Sequence, residues 1–327
     1  MVKEKNIIKF SDVFLKDRNL EQEDFDFVDI KLNKDTELFL NPSLIEGNAE
    51  IKSNLQEWMI KSNEIIDSFF RTLFEAYRNN EISLIKKLLD CAHEPNETNL
   101  GLSSKRPNGK GNTEKGLINI FKDMKNLLEK GLIENNMDTC VFIKEFAEDG
   151  MSDLITNILR KQLYEFTVSE CSNYGIDLSD DKYEIGHYWN EMQCEWELLV
   201  GPVLKCSEKR GFILLVPKTI VSHSYKYSIG EYLSKKILED IQERELQKGS
   251  NLCRERILKN GRKKLYKPSK KLVIKEILMG EKHKQYAIDY TIKNKSLIEE
   301  FRDEMRKANK KGKNIMSDKN IIKYIEK

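Results

Sequence analysis

The sequence has few residues of the kinds that form disulfides or bind zinc. Its six cysteines are scattered without a C-x-x-C pair, and none of its four histidines pairs with another at the spacing of metal ligands on a helix. Scattered cysteines of this kind are typical of a cytoplasmic protein with reduced thiols. We therefore expect neither a disulfide framework nor a zinc site.

Long apolar runs are also missing. The longest, such as residues 212–216, comprise only a handful of residues, whereas a membrane-spanning helix needs about 20. Residues 1–5 are charged and precede no apolar signal core. These features predict a cytoplasmic protein without a membrane span, and 327 residues is a length that fits about two domains.

Several common catalytic motifs are absent as well. The sequence contains no G-x-S-x-G nucleophile elbow and no G-x-G-x-x-G after a predicted strand. Gly109, Lys110 and Gly111 match a Walker loop only in part, because Gly111 stands where a hydroxyl must follow the lysine. Serine hydrolase, dinucleotide-binding and ATPase functions therefore lack support.

Charge is distributed unevenly, although the net charge is only +2. Residues 244–327 contain 25 Lys and Arg against 11 Asp and Glu, which leaves residues 1–243 with a net charge of −12. Three interpretations remain open: a nucleic-acid-binding region, a lysine-rich solvated surface, or a region that docks on acidic parts of its own chain or of a partner. The candidate nucleic-acid-binding residues are Arg262, Lys263, Lys264, Lys270 and Lys271.

Apolar periodicity predicts an α+β fold, with a mixed β-sheet core surrounded by helices and a helical, basic C-terminal region. We expect an acidic core domain over 1–243 and a basic region over 244–327. Strands are predicted near 139–143, 196–204, 211–217 and 271–277, with the second and third joined through residues 207–210. Helices are predicted over 49–80, 82–89, 114–130, 154–172, 229–248, 252–259, 283–293, 296–310 and 317–326. Residues 93–113 read as a long loop, and residues 176–195 as irregular.

Acidic residues cluster after the predicted 139–143 strand. Glu145, Glu148, Asp149 and Asp153 fall within nine residues, and hard cations such as Mg²⁺ prefer oxygen ligands. Phosphodiester cleavage commonly uses such a metal, together with a lysine that stabilises developing charge. We therefore predict an Mg²⁺ or Mn²⁺ site at Glu145, Asp149 and Asp153, facing Lys218 at the end of the predicted 211–217 strand. The alternative is that Asp153 caps the next helix and the other carboxylates lie in a turn.

Segments 94–101, 148–159 and 213–218 resemble an uncharacterised bacterial family associated with phage-defence gene neighbourhoods, over about residues 35–290. More remotely, a glutamate, an aspartate beside a strand and a lysine on a later strand resemble the restriction-endonuclease-like PD-(D/E)xK nucleases. The second resemblance implies catalytic roles for Glu97, Asp153 and Lys218. Val216 occupies the position where that family has the acidic residue of its acidic-x-Lys pair.

Two functions follow from these patterns. The first is a metal-dependent nuclease that cleaves DNA or RNA, acts as an effector in anti-phage defence and works with a partner subunit, with oligomer formation left open. The second is a non-enzymatic subunit of a defence complex that binds a partner protein or nucleic acid through its basic C-terminal region.

Overall fold

Helices form most of the structure, because apolar side chains recur at three- and four-residue spacing through much of the chain. The computed structural model describes residues 7–16, 18, 20–91, 95–102, 114–206, 211–280 and 283–327. Most of the loop predicted over 93–113, and the connection at 207–210, lie outside the described residues. Within these ranges, no helix is both long and apolar enough to cross a bilayer.

Fifteen α-helices are found in the described ranges. In chain order they are α1 Phe10–Phe14, α2 Pro42–Asn48, α3 Gln56–Asn79, α4 Ile82–Asp90, α5 Glu114–Ile120, α6 Met124–Glu129, α7 Asp138–Phe142, α8 Glu148–Ile158, α9 Arg160–Tyr174, α10 Ile229–Tyr232, α11 Leu238–Lys248, α12 Lys270–Val273, α13 His283–Lys293, α14 Ser296–Lys310 and α15 Asp318–Ile325. Two π-helical segments, Leu233–Ile237 and Ile274–Leu278, follow α10 and α12.

The strands are short. They are β1 Phe39–Leu40, β2 Lys182–Asn190, β3 Glu195–Pro202, β4 Leu204–Lys205, β5 Phe212–Ile213, β6 Val221–Ser222, β7 Arg254–Ile257 and β8 Lys263–Tyr266. They form four separate antiparallel pairs: β1 with β6, β2 with β3, β4 with β5, and β7 with β8.

The α+β class predicted from the sequence is confirmed, but in the described ranges the sheets are small and antiparallel rather than one mixed core sheet. Residues 213–216 are buried as predicted, yet only Ile213 of these four belongs to a strand. The backbone there bonds to neighbouring segments instead: Leu214 N–H donates to Glu97 O, and Val28 N–H donates to Val216 O. A buried apolar run thus fills the core without a long ladder.

Two predicted strands are helical. Residues 139–143 fall largely in α7, and residues 271–277 fall in α12 and the π-helical segment after it. Short apolar runs of this length do not separate buried helix from buried strand. Ser269 decides the second case locally, because its hydroxyl accepts the N–H of Leu272 as a helix N-cap.

Two other segments contain strands that were not predicted. The predicted 252–259 helix contains β7, because the chain turns back over residues 259–261, where Gly261 has φ +76° and its N–H donates to Leu258 O. Residues 182–190, expected to be irregular, form β2. Only two of its residues, Ile185 and Trp189, are buried, so the strand shows no run of alternating buried apolar residues. A bulge between Glu184 and Gly186 also interrupts its pairing with β3.

Helix α3 is the centre of the hydrophobic core. One face buries Ile65, Ile66, Phe69 and Leu73, as the periodicity predicts. The ring of Phe69 meets that of Trp189 edge to face, with centroids 5.2 Å apart. This contact holds the β2–β3 hairpin against the helices.

Helices from the C-terminal region belong to the same core. Phe301 of α14 is fully buried, and its ring contacts those of Tyr227 and Tyr232, with centroids 5.1 and 5.3 Å away. Ile321 and Ile325 of α15 are also buried in this core. The basic region therefore packs on the acidic part of the chain, while a domain boundary at residue 243 stays a prediction.

A buried ion pair joins α14 to α7. Asp138 is fully buried and accepts hydrogen bonds from Arg302 Nη2 at 2.9 Å, from Tyr227 Oη at 2.6 Å and from the N–H groups of Glu134 and Asn135. Burial, reinforced by the Asp138 carboxylate, raises the pKa of Tyr227 well above its usual value, so the phenol stays a donor. Every charge in this cluster is compensated inside the core.

We predict that Arg302→Leu lowers the free energy of unfolding by about 3–5 kcal/mol, because it leaves the buried Asp138 carboxylate without its cation. Arg306→Leu, one turn further along α14, is the control: its side chain is 47% exposed and its pair with Glu46 lies at the surface. That change should cost no more than about 1 kcal/mol. Urea unfolding followed by circular dichroism measures both values, and equal losses in the two variants would contradict the prediction.

Candidate functional site

Glu97 lies in a loop that runs beside α8 and α9. Its Oε1 is 3.3 Å from Nη1 of the buried Arg160, and its backbone carbonyl accepts the N–H of Leu214. Its Oε2 is buried and receives no hydrogen bond from any residue that the structure describes. Glu97 therefore forms an ion pair with an arginine that the sequence reading did not single out.

Arg160 joins three parts of the chain at the start of α9. Its guanidinium donates to the carbonyls of Ile185 and His187 at 3.0 and 3.1 Å, and to Asn157 Oδ1 at 2.5 Å. Gly186 lies between the two carbonyls with φ +117°, and a Cβ there would be 3.0 Å from the guanidinium. The β2 bulge needs this glycine so that the backbone can approach the arginine.

The predicted metal ligands lie on or just before α8. Helix α8 begins at Glu148, earlier than predicted, so Ser152 and Asp153 are inside it and neither is an N-cap. Asp153 is buried. Asp149 lies in the first turn of α8, close to the loop that contains Glu97: a Cβ built on Gly101 of that loop would be 3.5 Å from Asp149 Oδ1. The Ser152 hydroxyl instead accepts the N–H of Leu40, which fixes β1 against α8.

Glu145 occupies the turn before α8 with a left-handed backbone, φ +62°, and its side chain is exposed. Lys284 from α13 closes this turn by donating to the carbonyls of Ile143 and Phe146. Burial lowers the pKa of Lys284. Across the described ranges, no three His, Cys, Asp or Glu side chains gather as a metal site would require. The Mg²⁺ or Mn²⁺ site at Glu145, Asp149 and Asp153 stays a prediction.

Lys218 has a different neighbourhood from the one that the nuclease resemblance implies. Its ammonium is 2.9 Å from Asp318 Oδ1 at the start of α15, and it donates to the carbonyls of Gln22 and Glu23 at 3.3 Å. These contacts hold α15 on the N-terminal segment. A structural role for Lys218 is therefore visible, whereas its catalytic role stays a prediction.

The predicted nucleic-acid-binding residues Arg262, Lys263 and Lys264 lie in the β7–β8 hairpin. All eight residues of its two strands are exposed. Residues 254–267 contain seven Lys and Arg and a single acidic residue, Glu255. This segment carries a net charge of +6 and is exposed along both strands.

The two faces of the hairpin differ in charge. Arg254 lies opposite Tyr266 and Arg256 opposite Lys264, so these four side chains share one face, defined here as the cationic face. The other face carries Glu255, Ile257, Lys263 and Leu265, and on it Lys263 and Glu255 form an ion pair at 2.9 Å. Only the second face contains a compensating carboxylate.

Helix α11 holds both ends of the hairpin. Cys253 Sγ donates to the carbonyl of Glu245, and Gln242 Nε2 donates to that of Pro268 at 2.5 Å. A Cβ on Gly249, just after α11, would lie 3.8 Å from Leu265. Because Leu265 belongs to the other face, the cationic face points away from this contact.

Lys270 and Lys271 are separate from the hairpin, in the first turn of α12. Lys270 bonds to Glu239 Oε1 at 2.8 Å, whereas Lys271 is exposed. Sequence reasoning missed Arg254, Arg256 and Tyr266 as partners of Lys264, because residues 252–259 were expected to be helical. The Asn260–Gly261 dipeptide is the signal that could have identified the hairpin.

We predict that Arg160→Met lowers the free energy of unfolding by about 3–5 kcal/mol, because it removes the cation that pairs with Glu97 and the donor to the carbonyls of Ile185 and His187. Glu97→Gln should cost only about 1 kcal/mol, since an amide can still accept from the guanidinium. Urea denaturation of both variants provides the comparison. A larger loss for Glu97→Gln than for Arg160→Met would show that Arg160 is not the organising residue.

Comparison with protein-family models matches residues 18–228 to a domain of unknown function (DUF8370). No match is found among curated proteins or among solved structures. A family of unknown function is consistent with the first resemblance seen in the sequence, and the match includes neither the β7–β8 hairpin nor α11–α15. Since the matched segment spans more than half of the chain, the protein belongs to the DUF8370 family.

Proposed function

We propose that the chain binds nucleic acid through the cationic face of the β7–β8 hairpin. The observation that carries this proposal is the register of the hairpin, which places Arg254, Arg256 and Lys264 on one exposed face with Tyr266 and without a carboxylate. Two-stranded ribbons are an established way to present side chains to a nucleic-acid groove.

The spacing of these cations favours a polyanionic partner. Side chains two positions apart on a strand are separated by about 7 Å, and cross-strand neighbours by about 5 Å. Like charges at such distances destabilise an isolated hairpin. Phosphate groups along a nucleic-acid backbone would relieve this repulsion and release counterions.

Other cations of the C-terminal region are neutralised within the chain. Arg302 pairs with Asp138, Lys310 with Glu50 and Lys327 with Glu37. Docking on the acidic part thus accounts for part of the positive charge on α14 and at the C-terminus. Among the residues that the structure describes, no carboxylate pairs with Arg254, Arg256 or Lys264 on the cationic face, which supports an external anion.

Tyr266 adds an aromatic surface to this face. Its side chain is 38% exposed, and the Lys264 ammonium lies 5.3 Å from its ring centroid. Aromatic rings beside cations can stack unpaired bases while the cations contact the backbone. The combination favours single-stranded DNA or RNA, or a locally unpaired duplex.

We predict that the triple variant Arg254→Ala, Arg256→Ala, Lys264→Ala reduces affinity for labelled DNA or RNA by tenfold or more at about 100 mM salt. Fluorescence anisotropy in EDTA measures this for duplex DNA, single-stranded DNA and single-stranded RNA. The slope of log affinity against log salt should also become shallower, by up to roughly 2–3, because three phosphate contacts are lost.

The matched control is Lys86→Ala, Lys87→Ala, Lys122→Ala, which removes three exposed cations from the acidic part of the chain. Its affinity and salt slope should equal those of the unaltered protein. Equal losses in the two triple variants, or no binding of any probe at low salt, would refute the proposal.

We predict that Tyr266→Ala weakens binding to single strands by about 1–3 kcal/mol and changes duplex binding less, because it removes one stacking surface. Leu265→Ala is the control, since Leu265 is comparably exposed at 41% but lies on the other face. Anisotropy titrations with the same probes measure both variants. Equal effects on single strands and duplex would argue against base stacking.

Cleavage by the acidic residues of α8 is a separate proposal, and the same complexes test it. Incubation with Mg²⁺ or Mn²⁺ would reveal strand scission if Asp149 and Asp153 hold a metal. Scission lost in Asp153→Asn, with binding intact, would support the nuclease. Binding without scission would support the non-enzymatic subunit.

A further inference from the structure

A cavity of about 380 Å³ lies where α15 meets the segment that follows β6. Its walls come from residues 222–226, from the loop between α14 and α15, and from α15 itself. This volume falls within the range of small-molecule sites. The hairpin contributes no residue to its lining.

The lining is basic. Four side chains in it can carry a positive charge, and no Asp or Glu is among the lining residues that the structure describes. The four are His223, Lys226, Lys313 and Lys323. Two glutamates lie close by without lining the cavity: Glu231, 3.9 Å from Lys226 Nζ, and Glu37, whose backbone carbonyl is 3.4 Å from His223 Nδ1. The cavity therefore attracts an anion.

One wall carries a stacked pair of rings. The imidazole of His223 lies on the phenol ring of Tyr324, with centroids 4.2 Å apart and planes inclined by 22°. His223 is exposed, so its ring extends the aromatic surface towards solvent. A flat ring next to ammonium groups is the combination that binds a base and its phosphates.

The walls are fixed before any ligand arrives. Helix α15 is held by the Lys218–Asp318 pair and by Lys31, whose ammonium donates to the carbonyl of Tyr324 at 3.0 Å. The α14–α15 loop is closed by Gly312 N–H donating to Asn309 O at 2.8 Å, and by Asn314 Nδ2 donating to Asn309 Oδ1 at 2.6 Å. A preformed site loses less entropy on binding.

We propose that this cavity binds a phosphorylated nucleoside, with the phosphate groups on Lys313 and Lys323 and the base against the His223–Tyr324 pair. The phosphate oxygens accept hydrogen bonds from the two ammonium groups, and the base stacks on the aromatic wall. The ligand is either a free nucleotide or the phosphorylated end of a nucleic-acid strand.

Isothermal titration calorimetry on the full chain tests the site, with ATP and inorganic phosphate as separate probes. Lys313→Ala with Lys323→Ala should weaken both by about tenfold or more, because both ligands contact the ammonium groups. His223→Ala should weaken ATP about tenfold and weaken phosphate much less, because only ATP has a base to stack.

The control is Lys307→Ala with Lys319→Ala, which removes two exposed lysines outside the cavity and should leave ATP affinity unchanged. The triple variant of the hairpin should also keep full ATP affinity. The cavity proposal and the hairpin proposal can therefore fail independently of each other. A 5′-phosphorylated trinucleotide that binds at least as tightly as ATP would identify a strand end, and weaker binding a free nucleotide. No ATP binding at millimolar concentration, or equal losses in control and cavity variants, would overturn the proposal.

Discussion

The buried pair between Asp138 and Arg302 determines how the two charge-biased parts of the chain are assembled. It places an anion from the acidic part and a cation from the basic part in the same core, together with the hydroxyl of Tyr227. Removing either charge would leave the other desolvated, so α14 cannot move off α7 without a large cost. Helix α15 and the cavity beside it depend on that placement, because the α14–α15 loop continues directly from the anchored helix.

Long amphipathic segments could be predicted from the sequence, and short ones could not. Residues 49–80, 283–293 and 296–310 show enough apolar repeats to identify α3, α13 and α14. Residues 139–143 were predicted as a strand but fall largely in a helix. All five residues are buried, so the sequence there shows neither the helical nor the strand period of apolar residues. In β2 only Ile185 and Trp189 are buried, and the bulge between Glu184 and Gly186 lies against Arg160, a tertiary contact that the local sequence does not indicate.

The candidate sites, like the helices and strands, could be predicted only in part from the sequence. The basic cluster at Arg262, Lys263 and Lys264 is visible as composition, but its cationic face depends on register, which the turn at Asn260 and Gly261 sets. The roles of Glu97 and Lys218 could not be read locally, because their partners, Arg160 and Asp318, are 63 and 100 positions away in the chain. Carboxylate spacing around Gly150 likewise says nothing about which side chains the fold brings nearby.

The positive charge of the C-terminal region is thus used in two ways. Buried or interfacial cations such as Arg302 and Lys236 pair with carboxylates and stabilise the assembly. The cations of the hairpin face and of the cavity wall contribute no such pairing to the core, yet their mutual repulsion opposes folding. Cations lie beside aromatic rings at two places, Tyr266 and the His223–Tyr324 pair, and such a combination can contact both the phosphate and the planar base of one ligand. Nucleic acid and nucleotides share that chemistry, so the two proposals invoke a single class of ligand.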